Sequence, residues 1–115
     1  MKYNITPTPK PRMTVSDKWK KRPVVLKYFS FKDEVRRHKI EVDVEGCFVT
    51  FGIPMPKSWS HKKRKGLLNK PHQQKPDVDN LLKALLDAVY DDDSVVWSIS
   101  VKKIWGDIGF IEIEN

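Results

Sequence analysis

Cysteine is almost absent from this chain. Cys47 is the single one, so the chain has no internal disulfide and no cysteine cluster able to hold zinc. A reducing, cytoplasmic setting is therefore expected. Cys47 lies between Val44 and Phe48 in an apolar stretch, which favours a buried and unreactive thiol.

Long hydrophobic runs are absent as well. No apolar stretch approaches the length of a membrane span, and no signal-peptide core follows the short basic start. We therefore expect no membrane association. A chain of 115 residues can build one hydrophobic core but not two, so we expect a single domain over residues 1–115.

Acidic residues are scarce in the first two thirds of the chain. Residues 1–76 contain 19 Lys and Arg against 6 Asp and Glu, whereas residues 77–115 contain 3 against 9. The net charge of +7 indicates an anionic partner. Nucleic acid is favoured over a membrane surface, because no strongly amphipathic basic helix is evident. The simpler alternative is a basic surface that only maintains solubility.

The hydrophobic pattern predicts both helices and strands. The predicted helices are residues 28–38, 59–68 (capped by Ser58) and 80–90. The predicted strands are residues 3–6, 40–53 with a break at Gly46, 95–105 and 108–114. Gly106 and Asp107 give a turn signal between the last two strands, and no proline after Pro76 prevents those strands from pairing. Residues 69–75 are expected to form a polar linker.

Two carboxylates one residue apart open the third predicted helix. An extended backbone there projects Asp77 and Asp79 from the same side, with Asp79 at the N-cap, where the helix dipole favours ionised carboxylates. Mg²⁺ usually takes one or two such carboxylates together with waters and substrate phosphate. An EF-hand is excluded, because Leu81 and Leu82 stand where a ligand and a glycine are required.

Lys83 and Asp87 follow Asp79 on the same helical face, at successive spacings of four residues. An ammonium beside carboxylates balances their charge and stabilises negative charge that builds on a scissile phosphate. One carboxylate of residues 91–93 would complete a metal site if the next strand folds back beside the helix. The alternative is that Asp79 is an ordinary helix cap, that residues 91–93 are a solvated turn and that Lys83 is a surface lysine.

The segment from Lys75 to Lys102 resembles the RusA family of Holliday junction resolvases, which are small endonucleases often encoded by phages or prophages. The resemblance rests on the residues KPDVDNLLKALLDA (75–88), on Asp92-Asp93-Ser94 followed by Val95-Val96, and on Lys102. Weaker similarity is present in residues 9–12 (PKPR) and 55–60 (MPKSWS).

This resemblance implies an α+β fold, a mixed sheet with helices packed on it, in a homodimer that binds four-way DNA junctions. The implied reaction is symmetric nicking of two strands with Mg²⁺, for which Mn²⁺ is a substitute, and no organic cofactor is implied. Asp77 and Asp79 match essential metal-binding aspartates, and Lys83 matches the functional lysine.

The third essential aspartate of the family is the second member of an Asp pair just before the next strand. Asp92-Asp93-Ser94 makes this residue Asp93. Family members often have a longer loop between the helix and the pair, and this chain has three consecutive aspartates. Asp92 or Asp91 therefore stays open as an alternative third ligand.

Basic clusters are expected to bind the phosphates of the junction. The predicted DNA-binding residues are Lys10, Arg12, Lys18, Lys20, Lys21, Arg22, Lys62, Lys63, Arg64, Lys65, Lys70 and Lys75. Lysine binds phosphate as a point charge and reads no base, so affinity should fall steeply with salt.

The aromatic residues and one histidine have separate expected roles. Trp97 and Trp105 are expected to pack in the core. Trp19 and Trp59 lie among lysines, where they either stack on unpaired bases or anchor loops to the core. His72 is expected to be an exposed linker residue.

Two other functions stay open at this point. One is a non-catalytic basic nucleic-acid-binding protein of a phage, in which the aspartates are caps and turns; Lys83 among the carboxylates argues against it. The other is a less selective metal nuclease that acts on branched DNA such as flaps or forks, which the sequence does not separate from a resolvase.

Overall fold

The computed structural model describes residues 1–12 and 22–115. Within them the elements are β1 (Lys2–Tyr3), α1 (Pro23–Arg37), β2 (Cys47–Pro54), α2 (His61–Leu67), α3 (Val78–Val89), a 3₁₀ turn (Asp93–Val95), β3 (Ile99–Gly106) and β4 (Phe110–Glu114). These three helices and four strands confirm the predicted α+β class. None of the helices in the described part is long and apolar enough to cross a bilayer.

The four strands form one mixed sheet in the order β1-β4-β2-β3. Strand β2 runs parallel to β3 and antiparallel to β4, so Thr50 is flanked by Lys102 on one side and Glu112 on the other. The predicted direct pairing of the last two strands is wrong, because β2 lies between them. Gly52 permits this arrangement: a Cβ atom at Gly52 would lie only 2.0 Å from Cε1 of Phe110.

Helices α1 and α3 pack on one face of this sheet. The core-facing residues of β2 alternate along the strand, and Cys47 among them is fully buried, as the sequence predicts. Burial raises the pKa of the Cys47 thiol. The buried core combines Tyr28, Phe31 and Val35 of α1, Leu81, Ala84 and Leu85 of α3, Cys47, Val49, Phe51 and Ile53 of β2, and Ile111 and Ile113 of β4.

Several element boundaries differ from the predicted ones. Helix α1 begins five residues early because Pro23, whose φ is already helical, occupies its first turn. Residues 40–44 are not a strand, although Ile40 and Val42 are buried. Strand β2 begins only after Gly46, which has a φ of 71°. Trp97 is 71% exposed and precedes β3, so its predicted core role is wrong, whereas Trp105 is buried as expected.

The segment predicted as a polar linker pairs with the edge of β3. The amide of Asn69 donates to the carbonyl oxygen of Trp105 at 2.9 Å, and that of His72 donates to the carbonyl oxygen of Lys103 at 3.1 Å. This pairing turns His72 inward, where it is 4% exposed, with its ring centroid 4.3 Å from that of Trp105. The expectation of an exposed His72 is therefore wrong. Burial lowers the pKa of His72, and the nearby charge of Lys103 lowers it further.

Candidate metal and nucleic-acid site

Asp77 and Asp79 lie at the start of α3. Asp77 is the N-cap residue, with an extended backbone, and its side chain makes no capping hydrogen bond. Asp79 lies in the first helical turn. The predicted N-cap at Asp79 is wrong, because Val78 is already helical, and the extended-chain argument for a shared side does not apply. Both carboxylates are exposed at the positive end of the helix dipole, which leaves them accessible to a cation.

Lys103 of β3 fixes the segment that leads into Asp77. Its Nζ donates to the carbonyl oxygen of Pro76 at 2.7 Å and also to that of Gln74. This residue was absent from the predicted site, although the sequence carried a signal for it. Lys103 lies two residues before Trp105 on β3, so both residues belong to the core-facing side of the strand. A lysine on that side needs a specific polar partner.

A shallow groove runs between the N-terminal segment and the start of α3. The amide of Lys10 donates to the carbonyl oxygen of Asn80 at 3.1 Å, which holds residues 9–12 along the helix. The residues that line this groove are Pro9, Lys10, Pro11, Arg12, Lys75, Pro76, Asp77, Asn80 and Lys83. Cationic side chains therefore flank Asp77, an arrangement suited to an anionic strand that passes a metal site.

Lys83 lies one helical turn after Asp79. Its Nζ is 4.0 Å from Oδ2 of Asp79, and both side chains are more than half exposed. An exposed pair at this spacing contributes only about 0.3–0.5 kcal/mol to stability. The pair therefore adds little to the stability of the fold. Such a weak ion pair leaves Lys83 able to turn toward an incoming phosphate.

Asp87 has a different role from the one that helical spacing suggests. Its Oδ2 accepts a hydrogen bond from the Tyr28 hydroxyl at 2.7 Å and forms a 2.7 Å ion pair with Nζ of Lys10. Burial opposes ionisation of Asp87, but the hydrogen bonds from Lys10 and Tyr28 outweigh it and lower the pKa of the carboxyl. Asp87 thus fastens the N-terminal segment and α1 to α3, and Lys10 is already paired.

The three consecutive aspartates have unequal environments. Oδ1 of Asp92 accepts from the amide of Ser94 at 3.0 Å and from its hydroxyl at 2.6 Å, which caps the 3₁₀ turn. These hydrogen bonds lower the pKa of Asp92. Asp91 is exposed, and Asp93 is half-buried at the first position of the turn. Asp92 is therefore the member of the triplet with a structural task.

The three predicted ligands do not form a closed cage. Among residues 1–12 and 22–115, no three His, Cys, Asp or Glu side chains lie close enough to hold one metal ion together. Asp77 and Asp79 are exposed oxygen donors of the kind that Mg²⁺ takes, because this ion commonly uses one or two carboxylates and completes its shell with waters and substrate phosphate. Asp93 stays a predicted third ligand.

The basic cluster of α2 divides into exposed lysines and one structural arginine. Ser60, not the predicted Ser58, caps this helix by accepting from the amide of Lys63 at 3.2 Å. Arg64 is half-buried, pairs with Asp107 at 2.7 Å and donates to the carbonyl oxygen of Pro56 at 2.9 Å. Lys62 and Lys65 are exposed. Arg64 thus stabilises the fold, and the lysines are the accessible cations.

Aromatic packing anchors the same region to the core. The Trp59 ring lies 4.8 Å from that of Trp105, centroid to centroid, and Nζ of Lys63 lies 4.2 Å from the centroid of Trp59. Of the two predicted roles for Trp59, this contact favours the anchoring one.

The remaining predicted DNA-binding residues lie beside Arg12, on the segment between α2 and α3, or outside the described residues. Lys18, Trp19, Lys20 and Lys21 lie outside them. Arg22 donates from its guanidinium to the carbonyl oxygen of Arg12 at 2.8 Å, so these two basic residues are adjacent. Lys70 and Lys75 are exposed on the segment between α2 and α3.

The family comparison covers nearly the whole chain. The family model described as "Endodeoxyribonuclease RusA" matches residues 4–114. No curated protein and no solved structure gives a match.

Proposed function

The chain belongs to the RusA endodeoxyribonuclease family, and from that premise we propose that it resolves four-way DNA junctions by nicking two symmetric strands. Hydrolysis of DNA and action at Holliday junctions follow from the family. The proposal adds that residues 1–115 work as one domain, that two copies act together, and that Mg²⁺ is the natural cation, with Mn²⁺ as a substitute. The observation that carries it is the pair of exposed carboxylates at the start of α3: Asp77 lines the basic groove, and Asp79 lies 4.0 Å from Lys83.

Asp77 and Asp79 would hold the divalent cation, with Asp93 as the third ligand. A bound Mg²⁺ supplies Lewis-acid polarisation of the phosphate and lowers the pKa of a coordinated water. The hydrogen bonds that Ser94 donates to Asp92 favour Asp93 over Asp92 as the third ligand, because the Asp92 oxygen that caps the turn is already engaged.

Lys83 would stabilise the negative charge that develops on the scissile phosphate. Its ammonium stands 4.0 Å from Asp79 and is largely exposed, so it reaches both the carboxylate and an incoming strand. Without a cation, the carboxylates repel DNA, and Lys83 offsets only part of their charge.

The groove between residues 9–12 and α3 would carry the cleaved strand past these groups. Arg12 and Lys75 line it and bind phosphate, with Arg22 beside Arg12. Lys62, Lys63, Lys65 and Lys70, with Lys18, Lys20 and Lys21, would contact the arms. Lys10 and Arg64, both in the predicted DNA-binding set, act instead through the fold because their charges are paired with Asp87 and Asp107.

The test is cleavage of a synthetic four-way junction by Asp77→Asn and Asp79→Asn. We expect cleavage to vanish while junction binding survives or tightens, because each variant removes a repulsive negative charge. The matched control is Asp33→Asn, an exposed aspartate on α1, which should cleave normally. Near wild-type cleavage by Asp77→Asn would show that the assignment is wrong.

The same assay identifies the third ligand. Asp91→Asn, Asp92→Asn and Asp93→Asn change one carboxylate each within three residues. We expect only Asp93→Asn to abolish cleavage, whereas Asp92→Asn keeps a side-chain oxygen that caps the turn and should stay active and folded. Full activity of Asp93→Asn would exclude it as a ligand.

A further inference from the structure

The segment between α2 and α3 pairs with the edge of β3, and His72 takes part in this pairing. The amide of His72 donates to the carbonyl oxygen of Lys103 at 3.1 Å. Further along the segment, Nζ of Lys103 donates to the carbonyl oxygens of Gln74 and Pro76, directly before Asp77. The path from His72 to Asp77 is therefore held at one end by the backbone of β3 and at the other end by a side chain of the same strand.

Burial of the His72 ring leaves one ring nitrogen without a hydrogen-bond partner in the described part of the chain. The unpartnered atom is Nδ1. The ring packs edge-on against Trp105, with the two planes at 61°, and Trp105 packs in turn against Trp59. A buried polar atom without a partner costs stability, so packing alone would favour phenylalanine at this position. The imidazole therefore indicates a role that a phenyl ring does not supply.

A positive charge on the His72 ring would have a cation as its nearest charged neighbour on β3. Burial and the charge of Lys103 both lower the pKa of His72. None of the ion pairs among residues 1–12 and 22–115 includes His72, so no carboxylate compensates a charged ring there. Charged groups on the adjoining parts of the chain include the exposed Lys70 of the same segment, Lys63 of α2, which lies over Trp59, and Arg64 of α2 with its partner Asp107.

We propose that His72 is a positioning residue for Asp77, and that it holds this carboxylate in place only as the neutral imidazole. The neutral ring stays packed on Trp105 and keeps the segment paired with β3, where Lys103 reaches the carbonyl oxygen of Pro76. The protonated ring is repelled by the Lys103 ammonium and favours water, which loosens the segment and the start of α3. The consequence for cleavage rests on the proposed function, in which Asp77 binds the cation, whereas the loosening of the segment does not.

The direction of the pH dependence follows from the two states of the ring. Above the ordinary histidine pKa of about 6.5, His72 is neutral whether it is packed or released, so the segment is fully held. Below that value the released ring takes up a proton and the packed ring does not. Release then becomes more favourable by up to about tenfold per pH unit, until the pH reaches the lowered pKa of the packed ring.

Hydrogen exchange of the protein without DNA or metal tests whether His72 controls the start of α3. The amide of Leu81 donates to the carbonyl oxygen of Asp77 at 3.2 Å, so its protection reports on this end of the helix. Protection is taken relative to the intrinsic exchange rate at each pH. Between about pH 7.5 and about pH 5.5, we expect the protection of residues 72 and 81 to fall by about tenfold in wild type and to stay constant in His72→Phe.

The amide of Ile113 is the internal control for this exchange experiment. It donates to the carbonyl oxygen of Met1 near the opposite edge of the sheet, so its protection should not change with pH in either protein. His61→Phe is the matched control variant, because it removes an exposed histidine at the start of α2. Its exchange should follow wild type at every pH.

Cleavage of a four-way junction measures the consequence for the site. The rate of wild type divided by the rate of His72→Phe cancels every pH dependence that the two proteins share. We expect this ratio to be near one at about pH 7.5 and to fall by up to about tenfold toward pH 5.5, with equal junction affinity of the two proteins. His61→Phe should again match wild type.

Protection of Leu81 that is the same at both pH values, or that falls equally in His72→Phe, would overturn the proposal. A cleavage ratio that stays constant while this protection falls would overturn it as well, because Asp77 would then not depend on the segment. A protein that cleaves no junction at any pH but shows the expected exchange would support the positioning role and refute the nuclease.

Discussion

Removal of the Tyr28 hydroxyl tests how the N-terminal segment is held against α3. This buried hydroxyl donates to Oδ2 of Asp87 at 2.7 Å, and Nζ of Lys10 lies 2.7 Å from the same oxygen. A hydrogen bond to a charged group contributes about 1.5–3 kcal/mol, and the partial exposure of Asp87 places this one at the lower end of that range. The Lys10 side chain is 38% exposed, so its ion pair contributes about 0.5 kcal/mol.

We therefore expect Tyr28→Phe to lower the free energy of unfolding by about 1.5 kcal/mol and Lys10→Met by about 0.5 kcal/mol. Urea denaturation followed by tryptophan fluorescence measures both. In an Asp87→Ala background, Tyr28→Phe should cost little or nothing, because the acceptor is gone. An equal loss in both backgrounds, or a larger loss from Lys10→Met, would refute the reasoning.

The stability that the Asp87 contact contributes should also depend on pH, in a direction set by the pKa of Asp87. The folded pKa of Asp87 is lowered, so the unfolded chain binds the proton more readily. The stabilisation is present above the ordinary carboxyl pKa of about 4 and is lost as the pH falls through the lowered value. The difference in stability between wild type and Asp87→Ala should therefore shrink below about pH 4.

Three further predictions concern other parts of the chain. Because burial lowers the folded pKa of His72, stability should fall as the pH drops from 7 through about 6.5, and His72→Phe should flatten that slope in urea titrations at each pH. Arg64→Ala should lower the melting temperature with little effect on the salt dependence of junction binding, whereas Lys62→Ala should do the reverse; similar effects from both would contradict their separate roles. Lys103→Met should weaken cleavage and stability together, because two carbonyl groups before Asp77 lose their donor, and unchanged cleavage by a folded variant would count against this.

The local features of the site and the fold could be predicted from the sequence. The Asp77-x-Asp79 spacing and Lys83 four residues later are local, so periodicity alone predicts a helix that joins them. The apolar stripe of α3 and the buried thiol of Cys47 follow from the same short-range patterns. The predicted helix starts are each displaced by two residues, because the start depends on a single position: Ser60 and Asp77 occupy the N-cap positions where Ser58 and Asp79 were expected.

The long-range features could not be read from the sequence. The insertion of β2 between β3 and β4 depends on which strands pair across more than fifty residues, and Gly52 beneath Phe110 has meaning only once that pairing exists. His72 reads as a linker residue until its segment pairs with β3. Asp87 was expected beside Lys83, but Tyr28, 59 residues away, determines its role.

The most direct measurement compares nicking of a four-way junction and of a linear duplex of the same sequence, with Mg²⁺ and with a chelator. The account predicts paired nicks at symmetric positions in the junction, none in the duplex, and no product without the cation. Cleavage that persists in the chelator, or equal cleavage of junction and duplex, would contradict it.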